Sequence, residues 1–160
     1  MICENPLFRN DFTDIVIQMN TTDIQRIEKR DGRIMGIDYG GKRVGVAVSD
    51  PSRRFALPMS VIRNTSDLEA EIGKIALDNE VKEIVLGESR DYKGEPNDIY
   101  LDSVAFKKNL EAAGFIVHFE PEFMTSVQAE RLQGKNEKSD ASAAAIILQG
   151  FLDRQENEKY

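Results

Sequence analysis

The order of strand-like and helix-like segments is the feature that most constrains how this chain can fold. Three strand-like segments, 33–38, 44–50 and 55–61, come before the first helical pattern. The turn between the first two contains Gly40 and Gly41, which suits a hairpin between antiparallel strands. The globular part of the chain is therefore predicted to begin with a strand-rich unit.

Helical and strand-like segments alternate in the rest of the chain. Apolar residues recur at helical spacing after Ser66, after Asn97 and after Ser139, whereas the largely apolar segments 83–87 and 115–119 are typical of strands. A strand that follows a crossover helix should pair parallel to an earlier strand and be covered on both faces. This order predicts an α/β fold, a five-stranded mixed sheet with helices on both faces. The ribonuclease H-like arrangement has the same order, and its first and fourth strands are parallel neighbours.

Two strand patterns predict where close contacts and sheet edges lie. Gly45, Ala47 and Ser49 alternate with valines, so one face of the second strand carries only small side chains. That face favours close approach by a helix or by substrate. Pro58 predicts an edge position for the third strand, because proline cannot donate a backbone hydrogen bond.

Helix boundaries are predicted from capping and glycine signals. Capping boxes at 66–69 and 125–128 predict two helix starts, the second for a short helix that ends near Gln133. Asn97 is a plausible cap for another helix that Gly114 ends. That helix has one predicted apolar stripe: Ile99, Phe106, Leu110 and Ala113.

Composition indicates one globular domain. The chain has 160 residues, of which 41% are hydrophobic and 31% charged, enough for one core and too few for two ordinary domains. Residues 33–155 are predicted to form the domain, and residues 1–32 a flexible N-terminal extension. The single cysteine, Cys3, excludes an internal disulfide framework and a cysteine-based zinc cluster. Without a signal-peptide pattern or a long apolar segment, we expect a cytoplasmic protein with no membrane contact.

Three isolated acids, Asp38, Glu88 and Asp140, stand where an apolar segment meets a loop or a helix start. If the first and fourth strands are neighbours, Asp38 and Glu88 lie close together, and two close carboxylates repel unless a cation or a proton intervenes. The pattern predicts a site for Mg²⁺ or Mn²⁺, both of which bind oxygen ligands, and hence a metal-dependent nuclease. In a two-metal site Asp38 would bridge the ions, with Glu88 and Asp140 on either side. Taken singly, the same acids suit a turn, a solvated loop and a helix cap.

The net charge of −7 argues against a protein that coats nucleic acid by bulk electrostatics. A nuclease of this charge must cluster its cations locally, although solvated loop charges are an equal alternative for the candidates. These candidates are Lys42, Arg43, Arg53, Arg54 and Arg63. His118 is the only histidine, which argues against a histidine-based metal site and leaves an exposed or structural role for it.

Three motifs resemble the YqgF family, also called RuvX, of resolvase-like nucleases in the ribonuclease H superfamily. They are Gly-Ile-Asp-Tyr-Gly-Gly-Lys-Arg-Val-Gly-Val-Ala-Val-Ser at 36–49, Thr-Ser-Val-Gln-Ala-Glu-Arg at 125–131, and Asp-Ala-Ser-Ala-Ala-Ala-Ile-Ile-Leu-Gln at 140–149. The resemblance covers roughly residues 33–153. It implies processing of the 5′ end of the 16S ribosomal RNA precursor, with resolution of Holliday junctions as the alternative.

Two segments depart from the usual pattern of that family. Members usually continue the fourth strand with Gly-Leu-Pro, where this chain has Gly-Glu-Ser at 87–89. They usually carry Asp-Glu-Arg after the fifth strand, where this chain has Pro-Glu-Phe at 121–123. Glu122 thus matches the acid of the family, while Glu88 occupies a position where related resolvases place an acid. We favour Glu88 because it ends a buried strand beside the first one, and Glu122 is the alternative catalytic residue.

Contacts with nucleic acid are predicted at five residues that carry positive charge or open a helix. Lys42 and Arg43 follow the glycine turn, Thr125 and Ser126 begin a predicted helix whose amides could hold a phosphate, and Arg131 offers a further cation. Solubility, helix capping and surface exposure explain the same residues without a ligand.

Other functions stay open at this point. The segment 36–42 resembles the first phosphate loop of actin-like ATPases and sugar kinases, but those folds need a second domain to clasp the nucleotide. A non-catalytic nucleic-acid-binding or ribosome-assembly factor is the remaining alternative. The protein could act on RNA or on branched DNA, as a monomer or a homodimer, and a resolvase of symmetric junctions would be expected to dimerise.

Overall fold

The computed structural model describes residues 32–88, 98–121 and 137–158. Its strands are β1 (Arg33–Tyr39), β2 (Arg43–Ser49), β3 (Ala56–Arg63), β4 (Val81–Glu88) and β5 (Ile116–Pro121). Its helices are α1 (Leu68–Asp78), α2 (Asp98–Ala112) and α3 (Glu137–Asn157). None of these helices is both long enough and apolar enough to span a membrane. The predicted extension up to residue 31 and the predicted helix at 125–133 lie outside the described residues.

The five strands form one mixed sheet in the order β3-β2-β1-β4-β5. β1 pairs antiparallel with β2, β2 pairs antiparallel with β3, and β4 pairs parallel with both β1 and β5. This order confirms the predicted ribonuclease H-like fold, in which the first and fourth strands are parallel neighbours. The edge position predicted for β3 is also confirmed. Pro58 lies opposite Ala47, where the pairing register shifts, so the missing proline amide is accommodated at an irregular edge.

Helices cover both faces of the sheet, as predicted. On one face Met35 and Ile37 of β1 pack in a core that includes Leu68 of α1 and Phe106 of α2. On the other face Ile34 packs with α3, whose residue Leu148 is fully buried. Side chains alternate between faces along a strand, which is why Ile34 lies in one core and Met35 and Ile37 lie in the other.

The small face of β2 packs against α3, which confirms that part of the prediction with a helix as the close neighbour. Ala47 belongs to the core that α3 covers, whereas the valines of β2 lie in the opposite core. Gly36 of β1 continues this small surface, since a β-carbon there would lie 2.6 Å from the β-carbon of Leu148. Ser49 is also buried, and its hydroxyl accepts a hydrogen bond from the Ile34 amide at 3.0 Å. Small side chains therefore set how closely α3 approaches the sheet.

The helix ends agree with the sequence signals only in part. The capping box predicted at 66–69 is wrong, because α1 begins after Asp67 without a side-chain cap. Thr65 accepts two backbone hydrogen bonds at this helix start. Its hydroxyl accepts from the amide of Asp67, and its carbonyl accepts from the amide of Leu68. Gly114 ends α2 as predicted, with a φ of 99° that favours glycine. Ile99, the first residue of the apolar stripe predicted for α2, is 37% exposed, so the stripe is not buried over its whole length. Asn97, the predicted cap of this helix, lies outside the described residues.

Candidate acidic site

Asp38 and Asp140 lie close together because β2 has a glycine where the first turn of α3 packs against it. Asp38 is directly opposite Gly45 in the antiparallel pair of β1 and β2. Directly paired residues point to the same face of a sheet. A β-carbon at Gly45 would overlap the carbonyl oxygen of Asp140, so the backbone of α3 lies directly against this glycine. The missing side chain at position 45 thus places Asp140 beside Asp38.

The environment of Asp38 disfavours its ionised form. Burial, and after it repulsion from Asp140, raises the pKa of Asp38 from 3.8 to about 6. Near neutral pH the carboxyl is therefore mostly ionised but poorly compensated. A cation or a proton between Asp38 and Asp140 would relieve both causes of the shift.

Arg43 supplies a positive charge to this acidic pair. It lies two residues before Gly45 on β2 and so faces α3, and its Nε is 3.0 Å from Oδ2 of Asp140. The side chains of Arg43 and Asp140 are 35% and 24% exposed. The spacing of residues in the sequence gave no indication of this ion pair. Lys42, the neighbouring candidate for phosphate contact, is exposed in the turn.

Glu88 ends β4, but the strand register does not align it with Asp38. Ile37 pairs with Leu86, so Asp38 is level with Gly87. Alternation turns Glu88 to the same face as Leu86, which is covered by α1 and α2. In the described segments no group of three or more His, Cys, Asp and Glu residues is arranged to hold a metal ion. The structure therefore brings together two of the three predicted acids.

Four predicted site residues lie outside the described residues: Glu122, Thr125, Ser126 and Arg131. Asp140 itself lies in the first turn of α3, two residues further into the helix than predicted.

The acidic pair fits a divalent cation that prefers oxygen ligands. Mg²⁺ is commonly held by one or two carboxylates together with phosphate oxygens of a substrate. Asp38 and Asp140 provide two carboxylates on one face of the sheet, where burial and then repulsion from Asp140 raise the pKa of Asp38. Arg43 already places one positive charge beside Asp140.

A second charged cluster lies at the opposite end of β1. Glu83 pairs in register with Ile34, and its carboxylate contacts Arg53 at 2.8 Å and His118 at 3.3 Å. Arg53 also donates to the carbonyl of Gly32 at 2.6 Å. Arg53, one of the five candidates for a local cluster of cations, therefore contacts the start of β1, at the opposite end of that strand from the acidic site. His118, for which an exposed or structural role is predicted, is partly exposed and contacts Glu83.

The raised pKa of Asp38 predicts that metal-free protein loses stability between about pH 4 and pH 6. In this window the folded state keeps a proton on Asp38 that the unfolded chain has released, so the free energy of unfolding falls as the pH rises, by about 1–3 kcal/mol. Denaturant unfolding of wild type and Asp38→Asn from pH 4 to pH 7.5 measures this change. The difference between the two proteins should grow across the window, and a constant difference would contradict the prediction.

Comparisons with known proteins agree with the fold and the motifs. The family model "RuvX: Holliday junction resolvase" matches residues 32–154. A protein of Cereibacter sphaeroides named "Putative pre-16S rRNA nuclease" is 38% identical over 136 residues, which cover 78% of this chain and 85% of the relative. A relative of the same name from Sulfurihydrogenibium sp. is 34% identical over 131 residues, covering 76% of this chain and 90% of the relative.

Among solved structures, "T. thermophilus RuvC in complex with Holliday junction substrate" aligns with a TM-score of 0.49 and 15% identity. The alignment covers 78% of this chain and 95% of that one. The family match spans most of the sequence and includes Asp38, Gly45 and Asp140. By this match and by its identity to the curated relatives, the chain belongs to the RuvX family.

Proposed function

We propose that this protein is a metal-dependent nuclease that matures the 5′ end of the 16S ribosomal RNA precursor. The observation that carries the proposal is the pair of Asp38 and Asp140, held on one face of the sheet with a raised pKa at Asp38. The names of the relatives support the reaction and the substrate class. Such a substrate would place the protein in the cytoplasm.

The residues of the acidic pair have separate roles in this proposal. Asp38 and Asp140 would hold Mg²⁺ or Mn²⁺, and they lie on a central strand and on a helix packed against it. When bound, the ion supplies Lewis-acid stabilisation of the phosphoryl and leaving oxygens. Lys42 and Arg43 provide positive charge beside the pair for the phosphates of the substrate.

The third acid is proposed to be one of two glutamates. Glu88 would reach the pair only if its side chain bends around the end of β4, since the register turns it to the opposite face. Glu122 lies two positions after Glu120, whose side chain pairs with Arg154 on the face that α3 covers. The register of β4 thus disfavours Glu88, and Glu122, which lies outside the described residues, is the acid proposed in its place.

Substitution of the two glutamates tests this assignment. Glu122→Gln is expected to lower kcat about 100-fold, because a lost ligand acts on the transition state, and Glu88→Gln less than about fivefold. Steady-state cleavage kinetics at several Mn²⁺ concentrations measure both effects. The reverse order of the two losses would assign the third ligand to Glu88 instead.

The choice of substrate separates the proposed function from its alternatives. We expect wild-type protein to cut a labelled RNA carrying the 5′ leader of the 16S precursor with Mg²⁺ or Mn²⁺, and not with a chelator. Cleavage of a four-way DNA junction instead would favour Holliday junction resolution, the activity in the description of the family model, and would call for a homodimer. Binding of either substrate without cleavage would favour a non-catalytic ribosome-assembly factor.

A further inference from the structure

Arg43 has a fixed backbone and a side chain that is partly exposed. A β-carbon at Gly40 would lie only 2.5 Å from the carbonyl oxygen of Arg43, so the turn packs tightly against the backbone of Arg43. Asn64 holds the same turn with two hydrogen bonds. Its backbone N–H donates to the carbonyl of Lys42 at 3.0 Å, and its side-chain amide donates to the carbonyl of Gly40 at 2.8 Å. The guanidinium can therefore change partners by side-chain rotation alone.

The ion pair with Arg43 compensates the acidic pair incompletely. One guanidinium carries a single positive charge, whereas Asp38 and Asp140 together carry two negative charges when both are ionised. Arg43 contacts Oδ2 of Asp140, which is one of the two residues that would hold a divalent cation. The guanidinium and a divalent ion would therefore compete for Asp140, and the ion, with twice the charge, can neutralise both acids.

We propose that Arg43 is an exchangeable counter-ion of the acidic site. It neutralises Asp140 in the metal-free protein, a divalent cation displaces it, and the released guanidinium binds a phosphate of the nucleic acid beside the site. This inference rests on the proposed nuclease function. It predicts that one residue links metal entry to substrate binding, because a phosphate that attracts Arg43 leaves Asp140 free for the ion.

Mn²⁺ binding distinguishes a competing counter-ion from a residue that only positions Asp140. Removing a competitor tightens metal binding, whereas removing a positioning residue weakens it. Titration calorimetry with Mn²⁺ alone, on metal-free protein, should give a Kd about three- to tenfold lower for Arg43→Gln than for wild type. Lys74→Gln is the matched control, since it removes the same charge from an exposed residue of α1, which covers the opposite face of the sheet, and it should change the Kd less than about twofold.

Each outcome of this experiment decides a specific claim. An unchanged or higher Kd in Arg43→Gln, with normal circular dichroism, would overturn the counter-ion role. If wild type and Arg43→Gln both fail to bind Mn²⁺, the metal dependence of the proposed function fails as well. At saturating Mn²⁺, Arg43→Gln is expected to raise the KM for leader RNA more than it lowers kcat. An unchanged KM would overturn the phosphate contact.

Discussion

Asp38→Asn is expected to remove at least 99% of the cleavage activity and to make the metal-free protein more stable. Activity falls because the amide is a poor ligand for a divalent cation, and the loss should appear in kcat, at about 100-fold or more. Stability rises because the neutral side chain avoids both burial of a charge and repulsion from Asp140. At pH 7 the gain in the free energy of unfolding should be about 1–3 kcal/mol.

The combination of lost activity and increased stability is informative because most substitutions of largely buried residues destabilise a protein. Asp50→Asn is the matched control for the same chemical change. The carboxylate of Asp50 accepts hydrogen bonds from the hydroxyl of Ser52 and from the amides of Phe55 and Arg54, the last two at 2.8 Å, and these hold its pKa below the usual range. A group with a lowered pKa stabilises the folded state above that pKa, so Asp50→Asn should lower stability and leave cleavage unchanged.

Cleavage kinetics and urea unfolding at pH 7, both on purified protein, measure the two effects of Asp38→Asn. Retention of more than a tenth of the wild-type kcat would exclude Asp38 as a metal ligand. A decrease in stability would mean that the carboxylate of Asp38 is compensated in the folded protein by groups other than a bound cation.

Gly45→Ala is expected to impair both the site and the packing of α3, although it changes no charged residue. The new β-carbon would overlap the carbonyl oxygen of Asp140. Both β2 and α3 contribute backbone atoms to this contact, which cannot rotate away as a side chain can, so the first turn of α3 must move. A displacement of about 1 Å at a catalytic group can cost about 100-fold in rate. Forcing extra volume into this contact should also lower the free energy of unfolding by about 1–3 kcal/mol.

Gly41→Ala is the control for this substitution. Gly41 lies in the turn between β1 and β2, and a β-carbon there would meet nothing within 4 Å. Its stability should stay within about 0.5 kcal/mol of wild type, with normal cleavage. Cleavage assays, Mn²⁺ titration and thermal unfolding of both variants test the comparison. Wild-type activity in Gly45→Ala would show that the distance between Asp38 and Asp140 does not control the reaction.

The local patterns of the sequence determined the architecture of the described segments. Alternation in β2 separated a valine face from a small face, and the order of segments predicted the sheet and its parallel central pair. Such patterns can be read from the sequence because side-chain direction repeats every two residues in a strand and every 3.6 residues in a helix. Two of the acids, Asp38 and Asp140, were found in the same way, from their positions at the ends of apolar segments.

Tertiary structure decided which charged groups meet. The ion pair of Arg43 with Asp140 joins residues far apart in the sequence, and it depends on how closely α3 approaches Gly45. The face on which Glu88 lies depends on the pairing register of β4, in which a shift by one residue exchanges the two faces. No local pattern encodes a register or a packing distance, because both are set by contacts that form only when the whole sheet and its helices assemble.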